Sequence, residues 1–342
     1  MILTISIPTY NRSRELEDLL SEILLQAKEV RPGSFNVLVS DNASTDNTAH
    51  MVETMRRRFA AQSLELKYIH NDENVGFSRN VISAVGNADG EFVLIMGDDD
   101  GLEPNTIGLL TDKLQGFGGL DIVFLKSLEY DESLSYPTSS ESEENISGEQ
   151  FYADGIEYIY SRKGYPPALV SGYVVRRSAW VSSAPEDFAY SICVHMLTAA
   201  RMLLGHSGAA EITRPCIKYR GNQQNTTWSR DELYPFRFYL DSLQATKIMA
   251  VESDHRGLEI LRSLSLRTIL FYLLRQKITG HPFAREQFLR YYRNARGQFG
   301  LYSFAISFLW IVPGFLLRIV FGRWMKKINE RTGFAWNEES NQ

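Results

Sequence analysis

The sequence predicts an α/β fold: a mostly parallel sheet with helices on both faces, followed by a helical C-terminal region. Three observations carry this expectation. Over the first 126 residues, short runs rich in Val, Ile and Leu alternate with segments whose apolar residues recur at helical spacing. Each of the first four runs opens into a polar segment, as the carboxyl ends of strands in a ligand-binding parallel sheet do. Beyond residue 228, the pattern becomes helical throughout.

The elements follow in order. Residues 2–7 read as a strand, and 14–29 as a helix with Leu16, Leu19, Leu20, Ile23 and Leu24 on one face. Strands are expected at 35–40, 64–70, 91–96 and 121–126, and helices at 46–59, 77–85 and 105–114. The stretch 130–148, rich in Ser and Glu, reads as a loop or insertion. A helix is expected at 148–160, a short strand at 168–176 around Gly172, a helix at 188–204 and a strand at 211–219. Helices at 233–251, 258–276 and 283–296 complete the pattern, and no internal repeat is present.

With 342 residues and 44% apolar composition, the chain suits one large α/β domain with a helical addition. A net charge of −5 argues against general nucleic-acid binding. The average hides two biased stretches: seven acidic and no basic residues between Glu129 and Glu149, and a basic bias around an apolar run from 285 to 327. Cys193 and Cys216 are not at metal-ligand spacing, and two lone thiols suit a reducing compartment. The N-terminus reads at once as a strand rather than a signal peptide, so a cytoplasmic body is expected.

The strand ends carry the chemistry. The first runs into Pro8-Thr9-Tyr10-Asn11-Arg12, where an aromatic ring and small polar groups can stack on and hydrogen-bond a nucleobase. The second runs into Asp41-Asn42-Ala43-Ser44-Thr45-Asp46. There Asp41 can accept from a base or a ribose, and Ser44 or Thr45 can cap the next helix. The third precedes Asn74-Val75-Gly76-Phe77-Ser78-Arg79-Asn80, where Gly76 permits a tight turn and Arg79 can neutralise a phosphate. The fourth runs into Gly97-Asp98-Asp99-Asp100. Adjacent carboxylates after a buried strand are costly unless a cation or hydrogen-bond donors compensate. Mg²⁺ and Mn²⁺ typically bridge one or two carboxylates to substrate phosphates.

In order and spacing these four segments resemble the family 2 glycosyltransferases, whose fold is called GT-A. The resemblance covers about the first 126 residues. It implies a Rossmann-like domain that binds a nucleotide-diphosphate sugar, with Pro8, Thr9, Tyr10, Arg12 and Asp41 around the nucleoside and Arg79 near the nucleotide. It implies a DxD motif in which Asp98 and Asp100 hold Mg²⁺ or Mn²⁺ on the diphosphate, with Asp99 beside the ribose or sugar. The expected organisation is a GT-A domain over residues 1–228, with a nucleotide-sugar half at 1–126 and an acceptor half at 149–228, then a helical region at 229–298.

The second half departs from the family pattern. Relatives carry a Glu-Asp pair about seven residues before an Arg and a Gly, and the Asp is the general base. Here Arg201 and Gly205 hold the Arg and Gly places, and the pair falls near Val194-His195, while a Glu186-Asp187 pair lies earlier. The resemblance thus leaves His195 or Asp187 as the base, or no base at all. Residues Cys193-Val194-His195-Met196 and Tyr219-Arg220-Gly221-Asn222 are similar to the abequosyltransferase-like branch, which builds bacterial O-antigen on lipid-linked oligosaccharides. Asn222, Asn225, Thr227 and Trp228 form a polar and aromatic cluster suited to an acceptor sugar.

Residues 301–317 hold 17 positions without a charge, broken by Pro313-Gly314 and closed by Arg318. A spanning helix needs about 20. With Arg323, Lys326 and Lys327 among Phe321 and Trp324, the stretch 299–327 reads as an amphipathic segment on an anionic membrane surface. The expected place is therefore peripheral, on the cytoplasmic face of the bacterial inner membrane. Two other functions share parts of this pattern. A sugar-phosphate nucleotidyltransferase would show a Gly-rich basic loop after the first strand, and this chain has none there. A non-catalytic scaffold of polysaccharide assembly would not need the intact Asp98-Asp99-Asp100.

Overall fold

The computed structural model describes residues 1–138, 148–153, 166–204 and 208–221, with single helical positions at Gly155, Tyr158, Asp241, Ala245, Ile248 and Leu316. The described strands form one nine-stranded sheet in the order β3-β2-β1-β4-β8-β6-β9-β5, with β7 paired to β9. The first half holds β1 (Leu3–Thr9), β2 (Phe35–Asp41), β3 (Leu66–His70) and β4 (Phe92–Ile95). These four are mutually parallel. Between them run α1 (Ser13–Ala27), α2 (Thr48–Ala60) and α3 (Phe77–Gly86). Beyond β4 the sheet is mixed. β8 (Tyr173–Arg176) lies antiparallel between β4 and β6 (Leu120–Tyr130), and β9 (Gly208–Arg220) is parallel to β6.

Both faces of the sheet are covered, which is why β1 and β2 are buried at every position rather than alternately. Leu3, Ile5, Ile7, Val37, Val39 and Leu94 pack with the apolar stripe of α1, with Met51, Met55 and Phe59 of α2, and with Ile107 and Leu110 of α4 (Thr106–Leu114). Val93 and Ile95 point the other way, onto Val81 and Val85 of α3, Trp180 of α5 (Arg177–Ser182) and Leu197 of α6 (Val194–Leu204). Full burial of each such aliphatic side chain contributes about 1.5–3 kcal/mol. The polar residues inside β1 and β2 are paired. Thr4 Oγ1 donates to Asn36 Oδ1 at 2.7 Å and accepts from Gly90 N at 2.8 Å, and Ser6 Oγ donates to the Ala84 carbonyl at 2.9 Å.

Several expectations change. Residues 149–152 form β7 (Glu149–Tyr152), antiparallel to β9, where a helix was expected. The helix expected from 188 begins only at Val194. A 3-10 turn (Pro185–Phe188) precedes it, and the Asp241 carboxylate accepts from the backbone N–H groups of Ile192 (3.0 Å) and Cys193 (3.1 Å). A carboxylate on the free N–H groups just before a helix stabilises its start at that point. The strand expected at 168–176 opens with a 3-10 turn (Val170–Gly172) and becomes a strand only at Tyr173. A two-residue strand, β5 (Gly101–Leu102), pairs with β9 immediately after the carboxylates and was not expected. The positions 222–230, with Asn222 and Trp228, lie outside the described residues, as do the regions 229–298 and 299–327 apart from the single positions named above.

The register sets the site. Pro8 pairs with Ser40 and Thr9 with Asp41, so β1 and β2 end level, and Ser6 pairs with Ile95 at the end of β4. Gly90 is the tight point of this packing. A Cβ there would lie 2.5 Å from Thr4 N and 2.7 Å from the Phe92 carbonyl oxygen. Gly90→Ala is therefore expected to cost about 1–3 kcal/mol, seen as a lowered melting temperature. An unchanged melting temperature would contradict this register.

Candidate functional site

The loops after β1 and β2 are zipped together. Asn11 takes a left-handed backbone (φ 53°), which Asn tolerates better than most residues. Its N–H donates to Ser44 Oγ at 2.9 Å, and its Oδ1 accepts from Thr45 N at 2.7 Å. Asp46 completes the zipper by accepting from Ser13 N (3.1 Å) and Thr48 N (3.0 Å), at the starts of α1 and α2. Burial alone would raise the Asp46 pKa, but hydrogen bonds from Thr48 and Ser13 outweigh it and hold the carboxylate below its ordinary range. The result leaves Tyr10 as a half-exposed ring above buried Thr9.

Asp41 is fully buried at the end of β2. Its Oδ1 accepts from Ser44 N at 2.9 Å and its Oδ2 from the Tyr68 hydroxyl at 2.6 Å. Burial and the Asp41 charge push the Tyr68 phenol well above its ordinary pKa, so it stays a donor. The next loop is held from below. Asn42 Oδ1 accepts from Val75 N at 2.9 Å, and Asn74 Oδ1 accepts from Asn42 Nδ2 and Gly76 N, both at 2.9 Å. Gly76 has φ 86°, the conformation its position requires. Asn80 is buried and ties α3 to β2 through Ser40: it accepts from Ser40 Oγ at 2.7 Å and donates to the Ser40 carbonyl at 2.9 Å. Asn80 therefore holds the strand ends together, whereas Arg79 beside it is exposed.

Facing these loops is the turn after β4. Asp98 and Asp100 are each 5% exposed. Asp98 Oδ2 accepts from Thr9 Oγ1 at 2.8 Å, and its Oδ1 accepts from Arg12 Nη1 at 3.0 Å. Arg12 also pairs with Asp99 through a short contact to Oδ2. Asp100 Oδ2 accepts from Ser171 Oγ at 2.5 Å, and its Oδ1 accepts from Arg220 N at 3.1 Å. Ser171 Oγ in turn accepts from Gly97 N at 2.9 Å, and Arg220 Nε donates to the Asp99 carbonyl at 2.7 Å. Burial, joined by the neighbouring Asp99 charge, raises both Asp98 and Asp100 to about 7, although Arg12 opposes the shift at Asp98.

Two such carboxylates beside a mouth lined by Thr9, Tyr10 and Arg12 can hold a divalent cation together with a diphosphate. Among the described residues no group of three or more His, Cys, Asp or Glu side chains is placed to hold a metal alone. Mg²⁺ and Mn²⁺ are bound elsewhere through as few as one or two carboxylates plus substrate oxygens. Each carboxylate oxygen has a second lone pair beyond the hydrogen bond it accepts.

The second-half candidates sit elsewhere. His195 is buried, with its Nε2 2.8 Å from the Ala168 carbonyl and its ring edge-on to Tyr173. A carbonyl only accepts, so Nε2 carries the proton. Nδ1 is buried with no partner among the described residues. Burial lowers the His195 pKa to about 4, against a weaker opposing effect of the Ala168 carbonyl, so the ring is neutral. Asp187 is open to solvent and pairs with Arg201 at 2.9 Å. No hydrogen bond joins either residue to the carboxylate turn. Nothing in the sequence singles out Ser171 or Tyr68, and Asn11 stands out only as part of the strand-end segment, because the groups they serve are distant in sequence. Arg220 stands out only within a resembling segment.

The buried carboxylates generate a stability signature. With folded pKa values raised above the unfolded ones, folded Asp98 and Asp100 hold more protons than the unfolded chain between about pH 4 and 7. Their contribution is full at the acid end and is lost as pH rises through the folded value. Asp100→Asn should therefore raise the melting temperature of the metal-free chain by several degrees at pH 8 and by less at pH 5. A lower melting temperature for the variant at pH 8 would mean that the charge at Asp100 is compensated within the fold.

Comparison with known proteins bears on the fold and the family. Residues 4–162 match the family described as glycosyl transferase family 2. The abequosyltransferase RfbV of Salmonella typhimurium is 36% identical over 114 residues, covering 32% of this chain and 32% of that protein. The poly(ribitol-phosphate) beta-N-acetylglucosaminyltransferase TarS of Staphylococcus aureus is 34% identical over 108 residues, 31% of this chain and 18% of its own. The matched segments thus span a third or less of these relatives. Among solved structures, S. aureus TarS 1–349 in complex with UDP-GlcNAc superposes with TM-score 0.58 at 16% identity, covering 98% of this chain and 93% of that one. The mannosyltransferase PcManGT from Pyrobaculum calidifontis, in complex with GDP-Man and Mn²⁺, gives TM-score 0.53 at 16% identity, covering 95% and 87%. The fold is GT-A, and the stretch that matches glycosyl transferase family 2 carries Asp41 and Asp98-Asp99-Asp100 at its strand ends.

Proposed function

We propose that this chain is a glycosyltransferase that moves a sugar from a nucleotide-diphosphate sugar to a glycan acceptor in bacterial surface polysaccharide synthesis. The observation that carries the reading is the meeting of Thr9 and Arg12, at and beyond the end of β1, with Asp98 and Asp99 in the turn after β4. Here a nucleoside would lie against Pro8, Thr9, Tyr10 and Asp41. Asp98 and Asp100 would hold Mg²⁺ or Mn²⁺ on the diphosphate, with Asp99 at the ribose or sugar. The cation supplies positive charge to the leaving diphosphate. Arg79, exposed on the first turn of α3, adds a tethered positive charge at the nucleotide. The relative TarS acts on poly(ribitol-phosphate), as its name states, which supports a polymeric acceptor of that class.

The geometry favours Asp187 over His195 as the base. A base must reach the acceptor hydroxyl, and of the two only Asp187 is open to solvent. His195 suits a positioning role: it holds Ala168, three residues before the Ser171 that grips Asp100. Turnover with a panel of nucleotide sugars and Mn²⁺ tests the reading. One donor should be consumed, and Asp41→Ala should weaken its binding by about tenfold, the loss of one good polar contact. In the same assay Asp187→Asn should lose turnover. His195→Gln, whose amide can still donate to Ala168, should keep most of it. No turnover with any donor, with or without an acceptor glycan, would overturn the enzyme reading. Loss in His195→Gln alone would return the base to His195.

The acceptor is proposed to be lipid-linked, with the enzyme held peripherally on the cytoplasmic face of the inner membrane by residues 299–327. No helix among the described residues is long and apolar enough to cross a membrane. Arg318, Arg323, Lys326 and Lys327 would each add about 1 kcal/mol at an anionic surface. Removing residues 302–342 should leave the protein in the supernatant with anionic vesicles that pellet the full chain. Equal pelleting of both forms would rule out this segment as the anchor.

A further inference from the structure

The Arg12 guanidinium occupies the inner side of the carboxylate turn. Its Nη1 lies 3.0 Å from Asp98 Oδ1 and also contacts Asp99 Oδ2. Thr9 takes the other Asp98 oxygen, so both oxygens of this carboxylate are engaged within the fold. The Arg12 backbone is fixed, since its carbonyl accepts from Leu16 N at 3.1 Å in the first turn of α1. Its side chain is not enclosed: 21% of it is exposed against 8% for Asp98. The cation can therefore leave toward solvent while the carboxylates stay in place.

We propose that Arg12 is a tethered counter-cation which a divalent metal displaces, so that metal entry and release of Arg12 are one exchange. The proposal rests on the reading of Asp98 and Asp100 as the metal carboxylates. Two cations cannot share one carboxylate edge at a few Å in a partly buried site without strong repulsion. Before the metal arrives, the guanidinium satisfies carboxylates that burial would otherwise destabilise. After exchange it stays charged, because Arg does not deprotonate in proteins, and its fork geometry matches phosphate oxygens. The same residue thus holds the empty turn together and becomes a free donor at its mouth when the metal binds. Asp100 has no contact with Arg12, its oxygens being held by Ser171 and Arg220. It supplies the carboxylate on which a metal can land before Arg12 leaves.

The exchange is tested by Mn²⁺ binding to the full chain without nucleotide, read by electron paramagnetic resonance at pH 8. Arg12→Gln removes the competitor and should bind Mn²⁺ about tenfold or more tightly than wild type, with Arg12→Lys between them. A second readout uses the wild-type protein alone. With ¹⁵N-labelled arginine, Mg²⁺ titration should saturably shift the Arg12 side-chain NMR signal, assigned by its loss in Arg12→Lys. This keeps the test valid if Arg12→Gln does not fold. Mn²⁺ affinity equal to or weaker than wild type in a folded Arg12→Gln, or an Arg12 signal unmoved at saturating Mg²⁺, overturns the exchange while leaving the metal reading standing. Absence of Mn²⁺ binding in every form overturns both.

Discussion

Three consecutive carboxylates close a buried parallel strand, and the rest of the site is built around compensating them. Left alone, Asp98 and Asp100 at this burial would favour protonation over charge. The fold offsets part of that cost with donors from three separate places: Thr9 at the end of β1 with Arg12 just beyond it, Ser171 before β8, and the Arg220 backbone at the end of β9, whose side chain also holds the Asp99 carbonyl. These contacts join the parallel half of the sheet to its mixed half. The pairing of β5 with β9 serves the same end, since Gly101 opposite Lys218 brings Arg220 back to Asp100. A turn held this tightly offers preorganised negative charge, and preorganisation is what a metal-diphosphate site needs.

The opposite wall is organised by hydrogen bonds rather than ion pairs, most of them from asparagine side chains. Asn11, Asn42, Asn74 and Asn80 each satisfy backbone or side-chain groups of a neighbouring loop. Amides can donate and accept at once, so they lock loops together without adding charge near the carboxylates. This leaves Tyr10 and Arg12 as the groups presented at the mouth, on loops held by these bonds, with Asp41 buried at the end of β2 beneath them.

Much of this was legible in the sequence, and the reason is local. Strand runs that alternate with the α1 to α4 patterns are short-range signals, and the polar segments after Ile7, Ser40, His70 and Met96 lie where a parallel sheet places its ligands. What was not legible depends on distant partners. Nothing near Val194 in the sequence shows that Asp241 delays the helix start, and nothing near residue 150 shows that β9 recruits 149–152 as a strand. The role of Asn80 was open for the same reason, because Ser40 is far from it in sequence. His195 was placed near the reaction by counting along a family pattern. Its surroundings, the Ala168 carbonyl and the Tyr173 ring, point instead to a core histidine. Counting preserves order along the chain but carries no information on which way a side chain faces.

The central claim is that the ends of β1, β2 and β4 form one nucleotide-sugar and metal site. Anomalous diffraction at the manganese edge, from crystals grown with Mn²⁺ and a nucleoside diphosphate, tests it most directly. The account predicts one strong peak at ligand distance from the Asp98 or Asp100 carboxylate, with diphosphate oxygens on its other side and the base against Tyr10 and Asp41. A nucleotide bound away from these strand ends, or manganese found only at carboxylates elsewhere, would contradict it.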